Sequence, residues 1–260
     1  MATASATSIY DFDDALQWDA PRSLATKLFP KAAKCVAAVR AADQVIAGND
    51  TLADWASNLA RDVLVIPSCV EPGAYEMKPS YALSDPPRLI WLGSPSTEKY
   101  LLTLAPALHN LHEQYGVRLT VISGPSGELL PLDHLIDRVA WSAANFAREL
   151  TTGDIAIAPL SDTPYARGKC AYKILQYGAA GLPFVASPVG ANDLATKRLG
   201  GVAATTHDEW YDAVTSLLAI GEQTRHEMGR TARAAVEAHY SFATWRSIWT
   251  KTVLGEGGLT

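Results

Sequence analysis

The residues best suited to chemistry lie in one short stretch, where Arg167, Lys169, Lys173 and Gln176 surround Gly168 and Cys170. A guanidinium and two ammoniums suit an anion with several oxygens, since Arg offers a planar fork of donors and Lys a mobile point charge. Gly168 lets backbone approach a ligand closely. From Asp154 to Asn192 the chain reads as buried strand, polar loop, helix, tight Gly-Pro turn and second buried strand. The helix is expected over Cys170–Ala180, so the amides at Gly168–Cys170 would carry a partial positive charge suited to phosphate. Spaced i, i+4, i+7, Lys169, Lys173 and Gln176 would share one face, with Ile174, Leu175 and Gly178 turned inward. That stripe fits a diphosphate and a ribose hydroxyl; the competing reading is a solvated helix face.

A second polar cluster, Asp11, Asp13 and Asp14, follows the first apolar run, where α/β proteins bind ligands. It admits three readings: a metal-binding D-x-D, a phosphatase-type D-x-D, or a helix-capping and interface patch. Ala15 and Leu16 follow, whereas a phosphatase would place Thr or Val two residues after the second Asp. Among the six histidines, His109 and His112 share a helix face, yet no third ligand is near them in sequence, so no metal site is assigned.

These residues must be positioned by an alternation of strands and helices. Apolar runs at Ile9–Tyr10, Val45–Ala47 and Val63–Ile66 alternate with helical segments Ser23–Ala42 and Leu52–Ala60, a parallel-sheet pattern. Proline-rich residues 68–87 read as an extended linker between a partial N-terminal α/β portion (1–67) and a larger domain (88–240). In the larger domain strands are expected at Arg88–Leu92, Arg118–Ser123, Ile136–Ala140, Asp154–Ala158, Phe184–Ala186 and Gly201–Ala203. Helices are expected at Lys99–Tyr115, Ala143–Leu150, Cys170–Ala180, Asp193–Lys197 and Asp208–Ile220. The fold class is therefore α/β, with one complete doubly wound Rossmann-like domain and a reduced three-strand N-terminal portion. Residues 241–260 are expected to form a final helix packing back on that first portion.

Composition narrows the function classes. With 48% hydrophobic and 19% charged residues, the 260-residue chain has ample core material. Its net charge of −5 offers no broad electrostatic footprint for nucleic acid. Cys35, Cys69 and Cys170 are odd in number and follow no metal spacing, which points to free thiols and a cytoplasmic setting. No run approaches the roughly 20 apolar residues of a membrane span, although peripheral membrane contact stays open.

The order strand, acidic-Thr-Pro loop, Arg167-Gly168-Lys169, then Lys173-x-x-Gln-Tyr-x-Ala-Ala-Gly-x-Pro-x-Val-Ala-Ser-Pro-Val-Gly resembles the nucleotide-sugar motif of group 1 glycosyltransferases (family 4, GT-B type). The resemblance implies two Rossmann-like domains, the first of them here lacking its early part. Of two motif Glu residues in the family, the ribose-binding one falls on Gln176 and the sugar-binding one on Gly168. The sugar contact would then come from backbone N–H groups or Asp162. Leu89–Leu102 resembles the opening strand and loop of the family's C-terminal domain, placing Gly93 and Ser94 near the phosphates. Many relatives carry an Arg and a Lys five residues apart there, where this chain has Ser94 and Lys99. Val139–Asn145 resembles the nucleobase loop, with main-chain groups near Trp141 and Ser142, and Asp11 and Asp14 match an Asp-rich strand end lining the interdomain cleft.

What the resemblance implies is retaining transfer of a sugar from a nucleoside diphosphate to an acceptor hydroxyl, with Arg167 and Lys173 as the catalytic cations. Those cations would stabilise charge developing on the leaving diphosphate, with no cofactor beyond the nucleotide-sugar donor substrate. Two alternatives stay open. One is a non-catalytic nucleotide-sugar-binding subunit, or half of a split enzyme completed by a second chain. The other is a nucleotide-sugar epimerase.

Overall fold

The computed structural model describes residues 7–18 and 30–255. The chain divides into two compact units. The first comprises Met1–Ser68, Asp162–Cys170 and Trp245–Thr260, and the second Cys69–Ser161 and Ala171–Thr244.

In the first unit, β1 (Ile9–Phe12), β2 (Gln44–Ala47) and β3 (Val63–Val65) form a parallel sheet in that order. Phe12 pairs with Ala47 and Ala47 with Val65. Crossover helices α1 (Lys31–Ala41) and α2 (Asp50–Ala56) bury Cys35, Val39, Leu52 and Ala56 against Phe12, Val45 and Ala47. Residues 23–29 of the expected first helix lie outside the described residues. Helix α2 starts two residues before the expected Leu52 because Asn49 caps it, its Oδ1 accepting from Leu52 N–H at 2.9 Å.

In the second unit, β4 (Arg88–Leu92), β5 (Arg118–Ser123), β6 (Ile136–Ala140), β7 (Ile155–Ala158), β8 (Phe184–Ala186) and β9 (Val202–Ala203) form a six-stranded sheet. Its order is β6-β5-β4-β7-β8-β9, and every pairing is parallel. Side chains alternate between faces along β4, so Leu89 and Trp91 point one way and Ile90 and Leu92 the other. The Trp91 face is covered by α3 (Lys99–Leu102), α4 (Ala105–Tyr115) and α9 (His207–Ala219). The Ile90 face is covered by α7 (Tyr172–Ala179), α8 (Ala191–Leu199) and α10 (Glu222–His239). Burial on both faces explains why β4, β7 and β8 read as continuous apolar runs, while the edge strand β6 carries Asp137 and Arg138.

The single helix expected over Lys99–Tyr115 is two. Pro106 cannot donate a backbone N–H, and its ring would clash with the Leu102 carbonyl, so the helix stops and restarts at Ala105. Helix α5 (Phe146–Leu150) is shorter than expected, and α6 (Pro164–Arg167), not anticipated, is capped by Thr163 and begins on a proline. Residues 69–87 contain no strand or α-helix yet are packed, with Val70, Tyr75 and Tyr81 buried. The final helix, α11 (Phe242–Leu254), has no buried residue. The Trp249 indole donates to the Asp11 carboxylate.

Candidate functional site

In the second unit the chain runs β4, β5, β6 toward one edge and β7, β8, β9 toward the other. The carboxyl ends of β4 and β7 therefore flank a topological switch point, where doubly wound sheets bind ligands. The two strands pair only through Leu89–Ile155 and Ile90–Ala156, then part. Tyr177, fully buried on α7, fills the opening. Its Oη accepts from Leu92 N–H at 3.0 Å and donates to the Ile157 carbonyl at 3.2 Å. Burial pushes its phenol well above the ordinary value.

Gly93 follows β4 at this point. A methyl group there would lie 2.3 Å from Trp91 Cη2 and 3.0 Å from Lys173 Cε. The missing Cβ is what lets Trp91 and Lys173 pack together over the strand end. The Lys173 ammonium stands 5.3 Å from the centre of the buried Trp91 ring, close enough for cation–π attraction. Ser94 is exposed beside it, its Oγ 3.1 Å from Ser96 Oγ and 3.3 Å from Thr97 Oγ1. Lys99, also exposed, lies over the Tyr100 ring at 5.4 Å.

Helix α7 begins at Tyr172, two residues later than the expected Cys170. Ala171 takes a left-handed conformation, φ 57°, which breaks the helix before it. The preceding carbonyls are committed elsewhere, since Asn49 Nδ2 donates to Gly168 O at 3.0 Å and to Lys169 O at 3.3 Å. Lys169 therefore lies outside the helix and does not share a face with Lys173 and Gln176. Only those two stay together, one turn apart. Gln176 is 7% exposed, and its Nε2 donates to Tyr75 Oη at 3.2 Å. Tyr75 meets Phe146 edge-on at 5.7 Å, and Phe146 stacks on the half-exposed Trp141 at 6.0 Å. Ser142 Oγ is used locally, donating to Asn145 Oδ1 at 2.6 Å.

Arg167, Gly168, Lys169 and Cys170 belong to the first unit. Asp162 grips the Arg167 guanidinium at 2.6 and 2.9 Å, and the pairing holds the carboxyl below its ordinary range. Lys169 Nζ lies 3.5 Å from Asp14 Oδ1 and 4.9 Å from the Tyr165 ring. Cys170 is buried, its thiol donating to the Asp13 carbonyl at 3.2 Å, and burial pushes its pKa up to about 12. A methyl group at Gly168 would lie 2.4 Å from Ala15 Cβ, so this position has no room for a carboxylate side chain. Burial also raises Asp11, opposed by the Trp249 hydrogen bond.

Sequence reasoning missed Tyr75 and Tyr177, both buried tyrosines whose hydroxyls serve groups at the switch point. It also left His134 apart from His109 and His112, which it meets at 5.3 and 5.5 Å between ring centres. Among the described residues no group of three or more His, Cys, Asp or Glu is placed to hold a metal ion.

The family model for glycosyl transferases group 1 matches residues 86–219, just over half of the chain. The chain belongs to this family. The glycosyltransferase fold extends beyond the matched residues. Sucrose-phosphate synthase from Thermosynechococcus elongatus superposes with a TM-score of 0.73 at 14% identity, over 95% of this chain and 67% of its own. Anabaena HepE, in complex with UDP-glucose, gives 0.73 at 16% identity over 95% and 71%. TarM from S. aureus gives 0.69 at 12% over 95% and 50%. At such identities the likeness concerns fold. The chain spans from half to about seven-tenths of the length of these proteins. No curated protein sequence matches it significantly. No helix among the described residues is long and apolar enough to cross a membrane.

Proposed function

We propose that this chain binds a nucleoside-diphosphate sugar through its second unit and transfers the sugar, with retained anomeric configuration, to an acceptor hydroxyl. The observation that carries this reading is the placement of Lys173 against Gly93, at the parting of β4 and β7. As the anomeric bond breaks, negative charge grows on the leaving diphosphate. A fixed ammonium aimed at that charge stabilises the transition state more than the ground state. Trp91 holds the Lys173 stem and limits the freedom lost on binding, while Ser94, Ser96 and Thr97 supply hydroxyl donors. The first amides of α7 add partial positive charge. Arg167 stays a proposed catalytic cation whose contribution depends on exchanging Asp162 for another anion. Trp141 and Ser142 are proposed for the base, Gln176 for the ribose.

The crowding at Gly168 favours a second reading, a donor-binding subunit that needs a further polypeptide for transfer. Incubation with UDP-, GDP- and ADP-sugars separates the two. Transfer predicts release of free nucleoside diphosphate and a product whose anomeric proton coupling matches the donor's. Donor binding with no release, restored by an added α/β chain, selects the subunit. Absence of any donor binding overturns both.

A further inference from the structure

Gln176 stands where a ribose acceptor is proposed, yet a glutamine amide rotates freely and presents a donor at one end and an acceptor at the other. In this structure one end is taken. Nε2 donates to Tyr75 Oη, which leaves Oε1 as the end available to accept from a sugar hydroxyl. Tyr75 is itself held on all sides. Its N–H donates to Pro72 O at 3.0 Å, closing a 3-10 turn whose start is capped by Glu71. Its carbonyl accepts from Arg233 Nη1 at 3.1 Å, and the same nitrogen reaches Ala179 O at the end of α7. The ring is 7% exposed and abuts Phe146, which backs Trp141. Burial raises the phenol's pKa, and the neutral hydroxyl also bonds Tyr172, which raises it further. With its proton directed there, its oxygen is left to accept from Gln176 Nε2 rather than donate to Oε1.

We infer that Tyr75 is a positioning residue for nucleotide recognition: it locks the Gln176 amide with its carbonyl oxygen toward a ribose hydroxyl, so the site selects ribonucleotide over deoxyribonucleotide. This rests on the reading that the second unit binds a nucleoside diphosphate. Tyr75 touches no ligand in this account; it acts through Gln176, and through Phe146 it ties the ribose position to the Trp141 platform. A proline-rich segment that reads as a linker thereby carries a specificity determinant.

The test compares dissociation constants for whichever of UDP, GDP and ADP binds the wild type most tightly with those for its 2′-deoxy and 3′-deoxy forms. Wild type is expected to disfavour one deoxy form by about fivefold, the worth of one neutral hydrogen bond. Tyr75→Phe keeps the ring packing and is expected to bring that ratio to about one, with binding of the deoxy form little changed and the unfolding midpoint lowered because the buried Gln176 Nε2 loses its partner. Gln176→Ala should lose the same discrimination, and the double variant should lose no more. A Tyr75→Phe or Gln176→Ala protein that still discriminates as wild type does overturns the inference while leaving donor binding intact. Failure of the wild type to bind any of the three diphosphates instead removes the underlying functional reading.

Discussion

Replacing Gly93 by Ala forces a methyl group against Trp91, which cannot retreat cheaply because the indole is fully buried in the β4 face, and against the end of the Lys173 side chain, which must shift aside. Overpacking of this kind costs about 2 kcal/mol, and a denaturant midpoint should register it. The same substitution should weaken nucleoside diphosphate binding, because it displaces the Lys173 stem. Gly168 is a different kind of glycine. Its space is filled by Ala15 and Leu52, so restoring the family's Glu there would disrupt the first unit rather than recover a sugar contact. Arg167 and Lys169 looked like free cations in the sequence, but Asp162 and Asp14 lie opposite them.

The helix α7 and the two strands beside it show how local readings gain or fail. Tyr177→Phe would leave Leu92 N–H and the Ile157 carbonyl buried without partners, at a cost of about 2 kcal/mol seen in chemical denaturation. Hydrogen exchange at Leu92 should quicken in that variant. An unchanged midpoint would show that water can take over the bridge. The strands and their parallel pairing were legible because most are apolar runs bounded by turn residues and alternate with helices, whereas their order in the sheet was not read from the sequence. The start of α7 was not legible. Alanine rarely enters the left-handed region, and the carbonyls of Gly168 and Lys169 before it are taken by Asn49, over a hundred positions away, which no local pattern announces. Tyr177 carried no signal for a similar reason: its partners exist only because β4 and β7 diverge. The break at Pro106, by contrast, could have been read locally.

Across the whole molecule, burial raises the pKa of Cys69 to about 11 and of Cys170 and Tyr10 to about 12, and it also raises Tyr75, Tyr81 and Tyr177. The unfolded chain therefore releases these protons at lower pH than the folded one. Above about pH 8, where unfolded thiols begin to ionise, these groups leave the unfolded state with fewer protons and lower stability as pH rises; buried Lys78, whose pKa desolvation lowers, opposes the trend as a single group. Denaturant midpoints should be level below pH 8 and decline steadily above pH 9, more steeply past about pH 10 as the phenols join. A midpoint that rises in that window would contradict the buried placement of these groups.

Diphosphate recognition is assigned to the Lys173 ammonium at the parting of two strands, and isothermal titration of UDP, GDP and ADP into wild type and Lys173→Ala tests that assignment most directly. At least one diphosphate should bind the wild type, and Lys173→Ala, still cooperatively folded, should bind it about tenfold more weakly, as loss of a charge-assisted contact requires. Equal affinity in the two proteins would contradict the assignment of the diphosphate to this position.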